Sequence, residues 1–264
     1  MKEIEPLAVD FDPSGYQGAV LVLGCGRSGT NMALEILAGS SALKPTGPHE
    51  DREVLATKPR NSRVGPRKLD AAYLSKIVTA YIVKWEQLQA LMELNPHLKL
   101  IWTIRDPRDL ALSKFYRGRG HHSAGSDSHY HNCIDDIHRM MIFYQKTLEV
   151  YAERMHLVIM ENVIKDVQKE TRAMCTFLGI PYAPSMCDFY HRYRNEDKAN
   201  RYKKIDEGQL ALYKRVDTIY EGYFQNPQTL WHFNADEGQY YNLNTLFEAL
   251  KPCIEYFNYE PATP

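Results

Sequence analysis

Three short and almost continuously apolar runs stand out from an otherwise mixed sequence. They are "AVLVLG" (19–24), "LKLIWTI" (98–104) and "HLVIM" (156–160). A run of this kind is typical of a strand that is covered on both faces, as strands of parallel sheets are. The pattern therefore predicts an α/β fold, with a central parallel sheet flanked by helices.

Segments with apolar positions at helical spacing separate these runs. The predicted helices are "NMALEILAG" (31–39), "DAAYLSKIVTAYIVKWEQLQALMEL" (70–94), "PRDLALSKFYRG" (107–118) and "KDVQKETRAMCTFLGI" (165–180). An alternative places a short strand inside the second of them, near 81–84. The alternation of strand and helix supports a parallel sheet, and ligands of such folds bind at the carboxyl ends of the strands.

The organisation predicted for the whole chain is a single domain, residues 1–264, which is long enough to bury a substantial core. Residues 1–17 form an acidic, proline-broken N-terminal extension. Residues 117–132, rich in Gly, Ser and His, have the composition of a mobile loop, which we interpret as a lid or an acceptor-binding loop. Residues 185–264 are rich in Tyr and are predicted to be a helical C-terminal part.

Composition excludes several classes of partner. The net charge of −1, with 44% hydrophobic and 25% charged residues, shows no one-signed excess of the kind that nucleic-acid or membrane binding needs. The acidic N-terminus resembles neither a signal peptide nor an anchor. The five cysteines contain no C-x-x-C pair and are predicted to be reduced thiols. We therefore expect a cytoplasmic protein without a membrane or nucleic-acid partner.

A glycine-rich turn, "GCGRSGTN" (24–31), joins the first apolar run to a helix. Its glycines fit the G-x-G-x-x-G of dinucleotide folds and also the frame of a nucleoside-triphosphate loop. Thr30-Asn31 stands where that loop needs Lys-Ser/Thr. A third interpretation is a phosphate loop whose cation is Arg27. Backbone N–H groups at a helix N-terminus attract anions, and the guanidinium fork suits phosphate or sulfate.

A second candidate anion site lies in "IWTIRDPRDLALSKFYRGR" (101–119). Arg105 follows the end of a predicted strand, and Ser113 lies about two turns into the next helix. The two side chains can hold one phosphate from two sides. The structural alternative is that Arg105 simply caps the sheet or pairs with Asp106 or Asp109.

Taken together, "GRSGTN", "RDPRDLALS" and "MENVIKDVQKETRAMCTFLGIPY" resemble the sulfotransferases that use 3′-phosphoadenosine 5′-phosphosulfate (PAPS). The resemblance covers residues 18–182 and keeps the order and spacing of the family. It is closer to the carbohydrate, tyrosyl-protein and bacterial branches than to the cytosolic small-molecule branch. It implies a P-loop-kinase-like sulfotransferase fold. It also implies PAPS as donor and 3′-phosphoadenosine 5′-phosphate (PAP) as product, with no metal required.

The resemblance also assigns roles by position. Arg27 would stabilise charge on the leaving phosphate. The residues implied to hold the 5′-phosphosulfate are Gly26, Arg27, Ser28, Gly29, Thr30 and Asn31, and those implied to hold the 3′-phosphate are Arg105 and Ser113. The Arg-Lys-Gly clamp of the cytosolic branch is missing, and Arg201, Tyr202 and Lys203 are candidates to replace it. Met160 stands where many members place a Tyr against the adenine, and Met32 replaces a Trp.

The acceptor hydroxyl must lose a proton, so a carboxylate or histidine is needed as general base. Glu50, in "GPHEDREV", is favoured by likeness to the Glu of tyrosyl-protein sulfotransferases. His49 is its neighbour. Glu86 lies where other members carry a Lys-x-His motif, with Lys84 as its lysine. The acceptor is expected to be a small molecule, glycan or peptide with a free hydroxyl, an amine being less favoured.

Two other functions stay open at this point. The first is an NTP-dependent small-molecule kinase with a degenerate phosphate loop, for which only Asp106 is placed as a magnesium ligand. The second is a non-catalytic nucleotide-binding protein. The histidines of the 117–132 segment (His121, His122, His129 and His131) raise a metal site as a further alternative. The lid is preferred, because metal ligands usually sit on firm elements.

Overall fold

A five-stranded parallel sheet forms the centre of the molecule. The computed structural model describes residues 16–46, 51–55, 66–82, 84–118, 127–192, 230–234 and 239–259. The strands are β1 (Ala19–Gly24), β2 (Lys44–Pro45), β3 (Tyr73–Val78), β4 (Leu98–Ile104) and β5 (Met155–Ile159). Their order is β2-β3-β1-β4-β5, and every neighbouring pair is parallel. The predicted α/β fold class is confirmed.

Helices cover both faces of this sheet. They are α1 (Thr30–Leu37), α2 (Trp85–Leu94), α3 (Pro107–Gly118), α4 (Asp127–Tyr151), α5 (Met160–Lys165), α6 (Val167–Leu178) and α7 (Leu243–Tyr256). Short 3-10 helices span Arg52–Leu55, Thr79–Tyr81, Ala152–Arg154 and Pro184–Arg192. An antiparallel hairpin of β6 (Leu230–Asn234) and β7 (Gln239–Asn242) precedes α7. No helix within the described ranges is long and apolar enough to cross a membrane.

The apolar runs supply a core on each side of the sheet because successive strand residues face opposite ways. On one side, Leu23 and Trp102 pack with side chains of α2, α4 and α7. The Trp102 ring meets the ring of Tyr144 edge to face, with centroids 5.6 Å apart. On the other side, Val22 and Ile101 pack with α1, α5 and α6. The β1 and β4 strands are therefore held from both faces, which gives a firm base to the loops at their carboxyl ends.

The long helix predicted over 70–94 is wrong in its first half. Tyr73–Val78 forms β3, which pairs with β1 from Val20↔Leu74 to Gly24↔Val78. Two polar residues hid the strand, because Ser75 and Lys76 interrupt the apolar run although both are buried in the structure. The alternative strand near 81–84 is not found at the described positions, since a 3-10 helix ends at Tyr81 and α2 begins at Trp85, and residue 83 lies outside the described residues.

Two further segments differ from their prediction. Helix α3 runs to Gly118 and α4 begins at Asp127, so both ends of the segment predicted as a mobile loop, 117–132, are helical. Residues 119–126 lie outside the described residues, as do residues 1–15 of the expected N-terminal extension. The C-terminal part predicted to be helical also contains the β6–β7 hairpin. The single domain stays a prediction.

Candidate functional site

The glycine-rich turn leaves β1 at Gly24 and enters α1 at Thr30, at the carboxyl edge of the sheet. Two residues of the turn have left-handed backbone, Arg27 with φ 83° and Gly29 with φ 98°. Gly29 is also the N-cap of α1. A non-glycine residue in this region stores strain of about 1–3 kcal/mol, which is a feature of functional loops. A turn that ends at a helix N-terminus is a place where backbone N–H groups can meet an anion.

Side chains of the turn divide into an outward and an inward set. Arg27 and Asn31 are exposed, whereas Ser28 and Thr30 are buried. The role expected of Arg27 toward a phosphosulfate stays a prediction. The arrangement shows that the residues assigned together to the 5′-phosphosulfate are not equivalent in the structure.

Ser28 in particular does not face outward. Its hydroxyl lies 2.8 Å from the hydroxyl of Thr103 on β4, and both are buried. The Ser28 N–H donates to the Cys25 carbonyl at 3.0 Å. The Ser28 side chain is therefore turned into the protein, and its expected contact with the 5′-phosphate stays a prediction.

Arg105 lies on the same edge of the sheet as the turn. Gly24, the last residue of β1, is in register with Thr103 on β4. Arg105 follows Thr103 by two residues, so it lies beside the start of the turn. The Arg105 Nη2 donates to Asp109 Oδ2 at 3.2 Å, and both side chains are buried. The pairing anticipated as a structural alternative is thus present, with Asp109 as its partner. It leaves the remaining N–H groups of the guanidinium for other acceptors.

Asp106 has a different partner. Arg108 donates from Nε to Asp106 Oδ1 at 3.0 Å and from Nη2 to Asp106 Oδ2 at 2.6 Å. This two-point contact occupies both carboxylate oxygens. Ser113 lies on α3, about two turns into the helix as predicted. Its side chain is outside the described part of the structure.

A buried carboxyl on α5 supports the β4–α3 junction. Glu161 Oε1 accepts the Asp106 N–H at 2.8 Å, and Glu161 Oε2 accepts the Tyr259 hydroxyl at 3.0 Å. Burial raises the pKa of Glu161 above its ordinary value, although these hydrogen bonds oppose the rise. Sequence analysis missed both residues, and no local signal in the sequence joins positions so far apart.

Burial also raises the pKa of the Asp109 carboxyl, to about 7, although the Arg105 guanidinium opposes the rise. The nearby carboxylates of Asp106 and Glu161 add to it. A carboxyl with a pKa of about 7 is half-protonated at neutral pH, directly beside the cation of the candidate anion site.

The two methionines that depart from the family pattern both lie beneath the turn. Met160 and Met32 are buried in the same apolar cluster. A Cβ on Gly29 would stand 2.6 Å from Met160 Sδ, so the glycine makes room for this sulfur as well as adopting a left-handed backbone. Met160 therefore supports the turn from below and presents no exposed platform for an adenine ring.

An ion pair that sequence analysis missed lies behind the turn. Lys114 Nζ contacts Asp136 Oδ2 at 2.8 Å, linking α3 to α4. Lys114 is also within hydrogen-bond reach of the Cys25 thiol, which is fully buried. Burial raises the pKa of this thiol to about 11, with Lys114 opposing the rise. Cys25 is therefore a protonated packing residue at neutral pH.

The predicted general bases are only partly described. Glu50 and His49 lie outside the described residues, and so do the clamp candidates Arg201, Tyr202 and Lys203. Lys84 and Glu86 are exposed at the start of α2. Helix α2 packs against α4 and the 3-10 helix at Arg52–Leu55. Within the described ranges, no three His, Cys, Asp or Glu side chains are grouped as a metal site. The side chains of His121, His122, His129 and His131 are not among those described.

Comparison with known proteins bears on the identity of this site. Residues 78–184 match the sequence model of a family described as "Sulfotransferase family". The resemblance to sulfotransferases is confirmed. A comparison with curated proteins found no match. The matched segment contains β4, Arg105, α3 and Glu161. It therefore includes the second candidate anion site and does not include the glycine-rich turn.

Solved structures show the same fold over most of the chain. The sulfotransferase domain from the curacin biosynthetic pathway is 16% identical, with a TM-score of 0.52 over 79% of this chain and 99% of that chain. Sulfotransferase STF9 from Mycobacterium avium is 13% identical, with a TM-score of 0.51 over 94% and 79%. A sulfotransferase from Alicyclobacillus acidocaldarius is 14% identical, with a TM-score of 0.50 over 78% and 96%. The chain has the P-loop-like sulfotransferase fold.

Proposed function

We propose that this protein transfers a sulfuryl group from PAPS to a hydroxyl of an acceptor. The observation that carries the proposal is the placement of two candidate anion sites on one edge of the sheet. The turn that contains Arg27 follows β1, and Arg105 follows the adjacent strand β4. A donor with a phosphosulfate at one end and a 3′-phosphate at the other needs two such sites side by side.

The first site would hold the 5′-phosphosulfate. The N–H groups that begin α1, at Gly29, Thr30 and Asn31, supply donors and the positive end of the helix dipole. Gly26, earlier in the turn, is proposed to lie beside the same phosphate. The exposed Arg27 guanidinium would neutralise the negative charge that develops on the leaving phosphate oxygen.

The second site would hold the 3′-phosphate. Arg105 is held by Asp109 in a fixed orientation and has N–H groups left for a phosphate. Ser113, farther along α3, would add a hydroxyl. The C-terminal residues Arg201, Tyr202 and Lys203 are proposed to complete the nucleotide site, in the place of the clamp found in the cytosolic branch.

Sulfuryl transfer, like phosphoryl transfer, depends on positioning and on electrostatic stabilisation of the oxygens involved, and no metal ion is required for it. The acceptor hydroxyl gives its proton to a general base, for which we propose Glu50 first and His49 or Glu86 as alternatives, with Lys84 beside the last. The acceptor class is a small molecule, glycan or peptide with a hydroxyl, and an amine is less favoured. A cytoplasmic location is part of the proposal.

The kinase alternative loses support from the structure. Its phosphate loop lacks the Lys-Ser/Thr pair, and Asp106, the acidic residue placed to bind magnesium, has both carboxylate oxygens engaged by Arg108. A magnesium site there would require this pair to break. The non-catalytic alternative predicts the same nucleotide binding but no transfer of a sulfuryl group to an acceptor.

Calorimetric titration with PAP, with ATP plus magnesium and with NAD tests the donor site. We expect selective binding of PAP, weakened by about a hundredfold in Arg105→Ala because a charge-assisted phosphate contact is lost. Arg172→Ala is the matched control, since Arg172 stacks on the Tyr182 ring with its guanidinium carbon 3.8 Å from the ring centroid. Selective binding of ATP or NAD, or an unchanged PAP affinity in Arg105→Ala, would refute the proposal.

Turnover separates an enzyme from a binding protein. Release of PAP from PAPS, measured across a panel of hydroxyl and amine acceptors, is expected for at least one acceptor and is expected to fall in Arg27→Ala. Tight PAP binding without transfer to any acceptor would favour the non-catalytic alternative.

A further inference from the structure

The Ser28 side chain occupies an unexpected place for a residue in the middle of a phosphate-binding turn. It has no exposed surface, although its neighbour Arg27 is exposed. Its hydroxyl is 2.8 Å from Thr103 Oγ1, and its N–H is donated to the Cys25 carbonyl. Neither polar group of Ser28 is therefore directed at a ligand above the turn.

The direction of the hydrogen bonds follows from the next contact. Thr103 donates its single hydroxyl proton to the Leu23 carbonyl at 3.2 Å. The Ser28 hydroxyl must then be the donor to Thr103 Oγ1, because that oxygen has no second proton to give. These two hydrogen bonds form a buried relay, which runs from Ser28 in the turn through Thr103 on β4 to Leu23 near the end of β1.

The relay needs a residue without a side chain at position 24. A Cβ at Gly24 would overlap both the Thr103 and the Ser28 hydroxyl oxygens, and it would stand 2.6 Å from the Thr103 carbonyl oxygen. The glycine at the end of β1 is therefore needed for close approach of the two hydroxyls, apart from any demand on its own backbone angles.

The relay joins the turn to the strand at the point where the backbone is strained. Arg27, with φ 83°, immediately precedes Ser28, and Gly29, with φ 98°, follows it. A conformation of this kind persists only where surrounding contacts hold it. The Ser28–Thr103 contact directly follows the strained Arg27 and is shielded from water.

We propose that Ser28 is a positioning residue, which through Thr103 holds the turn in the shape that presents Arg27 and the first N–H groups of α1 to the donor. The identity of the ligand in this inference rests on the proposed function. The Ser28–Thr103 contact is a feature of the structure and does not depend on that function. This positioning role differs from the role implied by family resemblance, in which the Ser28 side chain contacts the 5′-phosphate.

A double-mutant cycle distinguishes the two roles. Ser28→Ala, Thr103→Val and the double variant are compared by calorimetric titration with PAP and by urea unfolding without ligand. Thr103 is buried below the turn, and its hydroxyl contacts only Ser28 and the Leu23 carbonyl among the described residues. We expect each single variant to weaken PAP binding by about tenfold, and the double variant to be no weaker than the singles.

Two conservative variants serve as controls. Thr103→Ser keeps the hydroxyl and loses a methyl group. It is expected to bind PAP as the wild type does, which would show that the hydroxyl and not the side-chain volume matters for binding. Ser40→Ala removes another buried hydroxyl, which accepts the Ala42 N–H at 3.2 Å beyond the far end of α1. It is expected to lower stability and to leave PAP affinity unchanged.

The outcomes separate this inference from the proposed function. If Ser28→Ala weakens binding while Thr103→Val binds as the wild type does, Ser28 is a ligand and the inference is wrong. If the wild type does not bind PAP, the proposed function fails, and the unfolding cycle then decides the inference. Non-additive losses of stability would support a Ser28–Thr103 link that holds the turn, and additive losses would refute it.

Discussion

Asp109 provides the sharpest test of the electrostatics at this site. Its carboxyl is buried, Oδ2 accepts a hydrogen bond from Arg105, and Oδ1 has no hydrogen-bond partner among the described residues. Burial raises the pKa of Asp109 from 3.8 to about 7, and Arg105 opposes only part of that rise. The substitution Asp109→Asn keeps the shape of the side chain and removes its ability to ionise.

The sign and size of the effect follow from linkage. The folded protein binds the Asp109 proton more tightly than the unfolded chain does, so the stability from this group is full below about pH 4. It is lost as the pH rises through about 7. One pKa unit corresponds to about 1.4 kcal/mol, so the pKa difference amounts to about 4 kcal/mol. Asp109→Asn has no such dependence.

The assay is urea unfolding of both proteins between pH 4 and 8. The free energy of unfolding of Asp109→Asn minus that of the wild type is expected to increase with pH, by up to about 4 kcal/mol across this range. Replacing the carboxyl group by an amide adds an offset that does not depend on pH. Asp135→Asn, at an exposed position on α4, is the matched control and is expected to show no such trend. Parallel pH profiles for the wild type and Asp109→Asn would refute the reasoning.

The same carboxyl links binding to pH if Arg105 holds the 3′-phosphate. A phosphate beside Arg105 adds negative charge near Asp109 and raises its pKa further, so binding of PAP is expected to take up protons between pH 7 and 8. Calorimetry in two buffers of different ionisation enthalpy measures that uptake. Equal uptake by the wild type and Asp109→Asn would show that another group carries the proton.

Three further predictions concern stability and are checked by urea unfolding beside the Asp135→Asn control. Asp136→Asn leaves the largely buried Lys114 ammonium without its partner and is expected to cost about 2 kcal/mol. Tyr259→Phe removes the hydroxyl that donates to buried Glu161, for an expected loss of about 1 kcal/mol. Asp166→Ala removes the side-chain cap of α6, whose Oδ1 accepts the Lys169 N–H at 2.9 Å, for a loss of about 1 kcal/mol. A loss of unfolding free energy no larger than that of Asp135→Asn would contradict the contribution assigned to the contact.

Much of the fold was predictable because its signals are local. The runs at 19–24, 98–104 and 156–160 are strands to within one residue, since buried parallel strands need continuous apolar residues. The segment at 107–118 is a helix with the predicted bounds. The glycine-rich turn and Arg105 were both placed at strand ends, and the structure brings them to one edge of the sheet.

The strand β3 escaped prediction because its two polar residues, Ser75 and Lys76, are buried. A pattern of apolar and polar positions shows which residues tend to be buried, and it fails where the sheet accepts polar ones. The same limit applies to the general base, because Glu50, His49 and Glu86 could be ranked only by resemblance.

The sequence by itself determined three of the five parallel strands, the glycine-rich turn and the strand-end arginine, because each depends on residues close together in the chain. Only the tertiary structure decided that Ser28 faces Thr103, 75 positions away, and that Glu161 is held by Tyr259, 98 positions away. It also decided that Asp109 rather than Asp106 pairs with Arg105. Hydrogen bonds between distant segments depend on how the strands and helices pack, and no local pattern encodes that packing.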